Sequence, residues 1–297
     1  MSHILPRLMA GHDSSEGRLF VIATPLGNPA DLSPRARDAL DRAQVLLAED
    51  TRSARRLLME AGLQPAGRTI VSCFDGNEAE RAAEAVDWVG AGKTVAVVSE
   101  AGTPLVSDPG FRVVAAVAAA GLRVEPIPGP SAILAALMGA GLSPDRFTFL
   151  GFPPRKRGPR RRLFESVRTH PFTLLLYESP LRTGETLADL ADVLGAERRA
   201  CVARELTKTH EEFVRDTLGA LATRYRDDRP LGEITIVVAG APLEQEPWTD
   251  DEVLDEARQL LAGGASARDV ADQLTPLAHR PRREIYALVS ALPRPIP

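Results

Sequence analysis

Short apolar runs alternate with amphipathic stretches along most of the chain. Residues 19–23, 45–48, 69–73, 94–98 and 124–127 are rich in Val, Ile and Leu and end at turn residues, as buried strands do. Between them, apolar positions recur at helical spacing. Ser33 reads as an N-cap, followed by Pro34 in the first turn of a helix running to Ala43. A second helix starts at Thr51, and its Leu57, Leu58 and Ala61 lead to Gly62. Further helices are predicted over 77–89 and 111–120. Five strands separated by helices predict a largely parallel sheet covered on both faces.

Pro126, Pro128, Gly129 and Pro130 interrupt this pattern, and Ser131 then caps a helix of small residues over 132–140. A second α/β unit follows, with strands at 147–151, 172–177, 200–204 and 234–239 and helices at 161–167 and 179–194. The expected division is a disordered leader over 1–17, one α/β lobe over 18–129, a second over 130–240, a linker over 241–248 and a helical module over 249–297. In that module Thr249 with Glu252, and Ser266 with Asp269, are capping-box signatures. A third helix carries Ile285, Leu288 and Val289 on one face. The module reads as helix-turn-helix-like, and its Arg280, Arg282 and Arg283 suit nucleic-acid contact or simple packing alike.

Composition narrows the class. With 297 residues, 44% hydrophobic and 26% charged, the chain is a globular one of two or more domains. Its apolar stretches are far short of a membrane span, and its first 17 residues lack the apolar segment of a signal peptide. The two cysteines, Cys73 and Cys201, sit in no metal-binding or disulfide pattern, so a reducing cytoplasm is expected and a metal is not. The net charge of −4 conceals a local extreme: Arg155, Lys156, Arg157, Arg160, Arg161 and Arg162 make six of eight consecutive residues basic. Such a run is a solvated surface or a phosphate-binding footprint.

Gly90–Thr94 looks like the end of a P-loop, but the first glycine of that motif would fall at Asp87, and the word precedes a strand. No dinucleotide fingerprint follows the first strand either, so NAD and ATP are disfavoured. The chemistry is expected where strand-end loops converge: 24–28, 48–52, 72–78, 99–110 and 128–132 from the first lobe, 177–180 and 204–208 from the second. The loop at 99–110 is longer than a simple connection and is shaped by Gly102, Pro104 and Pro109. Glu49 and Asp50 at a helix start also have a helix-dipole explanation, and Glu205 with Lys208 reads as a surface ion pair.

Eight words in order carry a resemblance: ATPLGNPADLSPRA (23–36), AEDTRSARRLL (48–58), SEAGTPLVSDPG (99–110), PGPSA (128–132), GFPPRKRGPRRR (151–162), YESPLR (177–182), ARELTKTHEE (203–212) and GEITIVVAG (232–240). Together they resemble the SAM-dependent tetrapyrrole-methylase superfamily, and within it the branch of small-subunit ribosomal RNA 2′-O-ribose methyltransferases. The resemblance implies a two-lobed α/β fold with S-adenosyl-L-methionine (SAM) in the cleft between lobes, and a homodimer. It implies that Gly102, Thr103, Leu105, Val106 and Ser107 lie along the methionine and ribose of SAM, with Ser131 and Ala132 at its amino-acid end. Tyr177, Leu206 and Gly232 would close the adenine pocket, and Pro25 and Gly27 would form the floor. The implied acceptor is a cytidine ribose in the decoding region of 16S rRNA on the 30S subunit, with the basic run on rRNA phosphates.

One word departs from that pattern. An H-x-H-N-E-like motif reads Phe74, Asp75, Gly76, Asn77, Glu78 here, so both histidines are missing. The candidates for accepting the ribose proton are therefore Glu49, Asp50, Glu100 and Asp108, with Lys208 orienting the substrate. Two other readings share the resemblance. A precorrin or uroporphyrinogen C-methyltransferase would need neither the basic run nor the helical tail, whereas a catalytically silent SAM-binding ribosome-assembly factor is consistent with the missing histidines.

Overall fold

The structure, a computed structural model, describes residues 17–227, 229–242 and 247–292. The expected leader, save Gly17, therefore lies outside the described residues, as do 243–246 of the linker and 293–297 of the tail.

Strands β1 (Arg18–Ile22), β2 (Val45–Ala48), β3 (Thr69–Ser72), β4 (Thr94–Val98) and β5 (Arg123–Ile127) form one parallel sheet in the order β3-β2-β4-β1-β5. Alternate residues feed two cores. Phe20, Ile22, Leu46, Ala96 and Val98 pack with Ala36, Ala39 and Leu40 of α1 (Pro34–Arg42) and Ala54 and Leu58 of α2 (Thr51–Glu60). Leu19, Val45, Leu47, Val95 and Val97 pack on the opposite face, with Ala82, Ala85 and Val89 of α3 (Glu78–Gly90) and Val113 and Val117 of α4 (Phe111–Ala119). Burial on both faces is why the central strands β2 and β4 are apolar along nearly all their length. Parallel strands also bring every β-to-α loop to one edge.

Helix α5 (Ala132–Ala140), capped by Ser131, leads to a second five-stranded sheet. Its strands are β6 (Phe147–Phe149), β7 (Thr173–Glu178), β8 (Arg199–Arg204), β9 (Glu212–Thr217) and β10 (Ile234–Val238), in the order β6-β7-β10-β8-β9. Helix α5 covers one face, against Leu175, Cys201, Ala203 and Val237. Helices α6 (Arg157–Ser166), α7 (Thr183–Leu194) and α8 (Leu218–Arg224) contribute to the core on the other. Only β6 and β7 pair in parallel; β10 runs against both β7 and β8. The ends of β7 and β8 and the start of β10 therefore share one edge.

Strand β9 and helix α8 were not expected. Strand β9 is an edge strand with a mixed sequence, Glu-Phe-Val-Arg-Asp-Thr, and none of its residues is buried. Helix α6 begins at Arg157, four residues before the expected start at Arg161, so much of the basic run lies in its first turns.

The chain divides into two compact units between Ala241 and Pro242. In the second, α9 (Asp250–Ala262), α10 (Ala267–Ala278) and α11 (Arg282–Ser290) enclose Val253, Ala257, Val270, Leu274, Ile285 and Val289, and both capping boxes form. Arg280 bonds Asp250 and Glu284, and Arg282 bonds Asp272, so two of the three arginines offered to nucleic acid are neutralised within the module.

Candidate active site

The loop edges of the two sheets bound an open cleft of about 240 Å³. The first sheet supplies Leu26 after β1, Glu49 after β2, and Glu100, Ala101, Gly102, Thr103, Val106, Ser107 and Asp108 after β4. Ala132 opens α5 at one side. Phe152, Tyr177, Glu233, Ile234 and Thr235 come from the second sheet.

The loop after β4 is held by its backbone. Thr24 and Gly102 exchange backbone hydrogen bonds of 2.8 and 3.1 Å, and the Thr103 hydroxyl donates to Pro130 O at 3.0 Å. Gly102 has φ +79°, and a Cβ there would come within 2.9 Å of Leu26 Cδ2, so no other residue fits without displacement. Leu105 (φ 73°) and Ser107 (φ 68°) adopt the same left-handed region without being glycine. Glu205 (φ 49°) and Thr207 (φ 66°) do so on the loop after β8. Four of the five such non-glycine residues among those described thus lie on these two loops. Each costs about 1–3 kcal/mol, and strain of this kind gathers at functional sites.

Glu78 anchors the far end of the β4 loop. It is buried and accepts the backbone N–H groups of Gly110 and Arg112, each at 2.8 Å. Asn77 accepts from Phe74 N and donates to Ser72 O. The Asn-Glu remainder of the altered motif is thus scaffolding for the loop. Glu78→Ala leaves two N–H groups without their acceptor and is expected to lower stability by about 2 kcal/mol or more. Glu78→Gln, which keeps an acceptor oxygen, should cost clearly less. Thermal unfolding of the two variants checks both values.

The cleft is acidic on one wall. Burial, then the charges of Glu49 and Glu100, push Asp108 up to about 6. Burial, then Glu100 and Asp75, raise Glu49 above the ordinary carboxylate range. Across the cleft, burial followed by the charges of Asp108 and Glu233 pushes the Tyr177 phenol up to about 12. Uncompensated negative charge in a partly desolvated cleft favours a cationic ligand.

A family model described as Tetrapyrrole (Corrin/Porphyrin) Methylases matches residues 18–222. A Synechocystis protein named Ribosomal RNA small subunit methyltransferase I is 41% identical over 273 residues, covering 92% of this chain and 97% of that one. Its namesake in Pseudomonas aeruginosa is 43% identical over 249 residues, covering 83% and 86%. The chain belongs to the ribosomal RNA small subunit methyltransferase I family.

The fold is that of the tetrapyrrole methylases. Cobalt precorrin-4 methyltransferase superposes with a TM-score of 0.54 at 20% identity, covering 77% of this chain and 98% of that one. Thermus thermophilus uroporphyrin-III C-methyltransferase complexed with S-adenyl homocysteine gives 0.51 at 22% identity, covering 74% and 97%.

The residues that the sequence put forward for this site divide cleanly. Glu49, Glu100 and Asp108 line the cleft with Gly102, Thr103, Val106, Ser107, Ala132 and Tyr177. Asp50 does not. It is the N-cap of α2, accepting Arg52 N at 2.8 Å, and hydrogen bonds from Arg52 hold its carboxyl below the usual range. Lys208 is likewise engaged, with Nζ 3.0 Å from Glu205 and 3.2 Å from Glu233. Its stem fills the place where a Cβ on Gly27 would stand, so Gly27 admits Lys208, and Gly27 is not among the residues lining the cleft. Pro25 faces Pro29, Leu32 and Leu57. Leu105 turns toward Gly110, Leu206 is buried in the core beside Leu26, and Ser131 caps α5. Gly232 (φ +86°) sits against Glu205, immediately before the lining residue Glu233.

The basic run needs a correction. Arg160 is 2% exposed and bonds Asp189 through Nε at 2.9 Å and Nη2 at 2.7 Å, so it is structural and unavailable to phosphate. Arg157 and Arg161 also bond Asp189, and both approach Asp192. Arg155, Lys156 and Arg162 are exposed, with no ion-pair partner among the described residues. Leu26, Ala101, Phe152, Glu233, Ile234 and Thr235 line the cleft without having been put forward from the sequence as site residues. The signal for Phe152 was present, an aromatic held between Gly151 and two prolines directly after a strand.

Proposed function

We propose that the cleft binds SAM and that the protein methylates small-subunit ribosomal RNA, at the 2′-oxygen of a cytidine ribose in the decoding region of 16S rRNA on the 30S subunit. The observation that carries this reading is a carboxylate-walled cleft, bordered by strained loops, in a chain of this family. The residues suit SAM, whose sulfonium and ammonium match the acidic wall. Ala101, Gly102 and Ala132 leave room for it, and Tyr177 with Ile234 and Thr235 offers a surface for adenine.

When bound, SAM supplies a methyl group already activated on sulfur. The chain's work is then to align the acceptor, exclude water and take one proton. Asp108 is the group we assign to the proton. With a pKa of about 6 it is ionised at neutral pH, yet more basic than an ordinary carboxylate. Burial, then the charges of Glu49 and Glu100, keep it so. Phe74 and Gly76 carry no titratable group, which leaves the cluster as the local source of a base.

The reading includes a homodimer acting in the cytoplasm. No helix among the described residues is long and apolar enough to cross a membrane. Arg155 and Lys156 serve rRNA phosphates. Replacing both by Glu is expected to weaken 30S binding and to lower the slope of log affinity against log salt by about 2. An unchanged slope would reject that role.

The test of the function is incubation with labelled SAM and unmodified 30S subunits, followed by mapping of the methyl group. A single ribose methylation in 16S rRNA is expected. Transfer to a tetrapyrrole, or to neither acceptor, would reject the reading.

A further inference from the structure

We propose that Phe152 is the stacking platform for the nucleobase of the acceptor nucleotide, with Arg155 and Lys156 taking the phosphates beside it; the inference rests on the ribosomal RNA reading above. Phe152 is 56% exposed, although it lines the cleft. Its ring is nonetheless fixed. It lies 5.4 Å from the Tyr177 ring, tilted by 54°, and Tyr177 stands edge-on to Phe149 at 4.9 Å. The backbone beneath is clamped from both sides. Gly151 turns with φ +64° and accepts Tyr177 N at 3.0 Å, while Pro153 O accepts Arg182 Nη1 at 3.2 Å. A large aromatic held open in this way has already met the ordering cost that a ligand would otherwise impose.

The chemistry gathered at the cleft matches a nucleotide. Glu49, Glu100 and Asp108 line it, repel phosphate and suit a hydroxyl that must lose a proton. The open ring of Phe152 lines it from the second sheet. Three and four residues further on come Arg155 and Lys156, both exposed, while Arg157, Arg160 and Arg161 are committed to Asp189 and Asp192. Four residues span at most about 14 Å, within reach of a base and its neighbouring phosphates. A polyanion can approach this acidic cleft only with its backbone kept outside, so the acceptor must be turned out of its stack. Aromatic stacking is the usual way to hold such a base.

The competing role for Phe152 is as a wall of the SAM site, and two readouts separate them. SAM binding is measured by calorimetry, and stacking by quenching of a short single-stranded RNA carrying 2-aminopurine; KM and kcat for 30S subunits are measured alongside. Phe152→Ala is expected to hold SAM affinity within about twofold, abolish the quenching and raise KM for 30S by about tenfold or more, with Phe152→Trp restoring both. Loss of SAM affinity with quenching retained would overturn the proposal. Should the parent protein transfer no methyl to 30S, the rRNA reading fails, and the 2-aminopurine signal still decides whether Phe152 stacks a base.

Discussion

Asp108→Asn is expected to slow methyl transfer by about 10²–10⁴-fold, the span that a positioned proton acceptor contributes. SAM affinity should change far less, because Glu49 and Glu100 remain on the same wall. The parent's turnover should rise as pH increases through about 6, where Asp108 loses its proton, and the variant should lose that limb. Stability should move the other way. The folded-state pKa of Asp108 lies above the ordinary carboxylate value of 3.8, so its contribution is fully present below that value and is lost as pH rises through about 6. At neutral pH the Asn variant should therefore be the more stable protein, by on the order of 1 kcal/mol once solvent screening of a half-exposed group is allowed for. A variant that gains stability while losing turnover marks a residue kept for function. Turnover across the pH range, with denaturant unfolding at the same pH values, measures both effects.

Asp189→Ala is expected to cost about 3–5 kcal/mol, the largest stability effect here, because it strands a buried guanidinium. Asp189 and Arg160 are each 2% exposed. Burial raises the Asp189 carboxyl, but hydrogen bonds from Arg157 and Arg160 outweigh it and hold the group below its usual range. Without Asp189, Arg160 keeps, among the described residues, only the ion pair with exposed Glu185 at 3.5 Å, and its buried Nη1 already has no hydrogen-bond partner among them. The double variant Arg160→Met with Asp189→Leu should recover most of the loss, since a buried pair is worth little more than an apolar replacement of similar volume. Unfolding in urea measures both proteins. A loss below about 1 kcal/mol for Asp189→Ala would place the pair among ordinary surface bridges. The depressed carboxyl also sets the acid limit of this contact: its stabilisation is present above 3.8 and is lost as pH falls through the lower folded-state value.

The first sheet was legible because strands buried on both faces must be apolar along their buried length, as Val45–Ala48 and residues 95–98 are. Strand β9 was not, because an edge strand with no buried residue has no such obligation. The acidic wall could be read from the loops that follow parallel strands, but the split between Glu49 and Asp50 could not. Neighbouring residues point in different directions, and only the helix start identifies Asp50 as its cap. Glu233 and Thr235 were hidden for a topological reason. Strand β10 runs antiparallel to its neighbours, so its beginning reaches the cleft edge, where an all-parallel pattern directs attention to strand ends. The partner that makes Arg160 structural lies on another helix, 29 residues away, and leaves no local trace in the basic run.

The most direct test is a crystal structure of the protein with S-adenosylhomocysteine. The ligand should lie between the loop carrying Gly102–Ser107 and the Tyr177–Thr235 side, with Asp108 facing the space beyond its sulfur. A ligand bound elsewhere, or one that leaves Glu49, Glu100 and Asp108 facing only solvent, would contradict this account of the cleft.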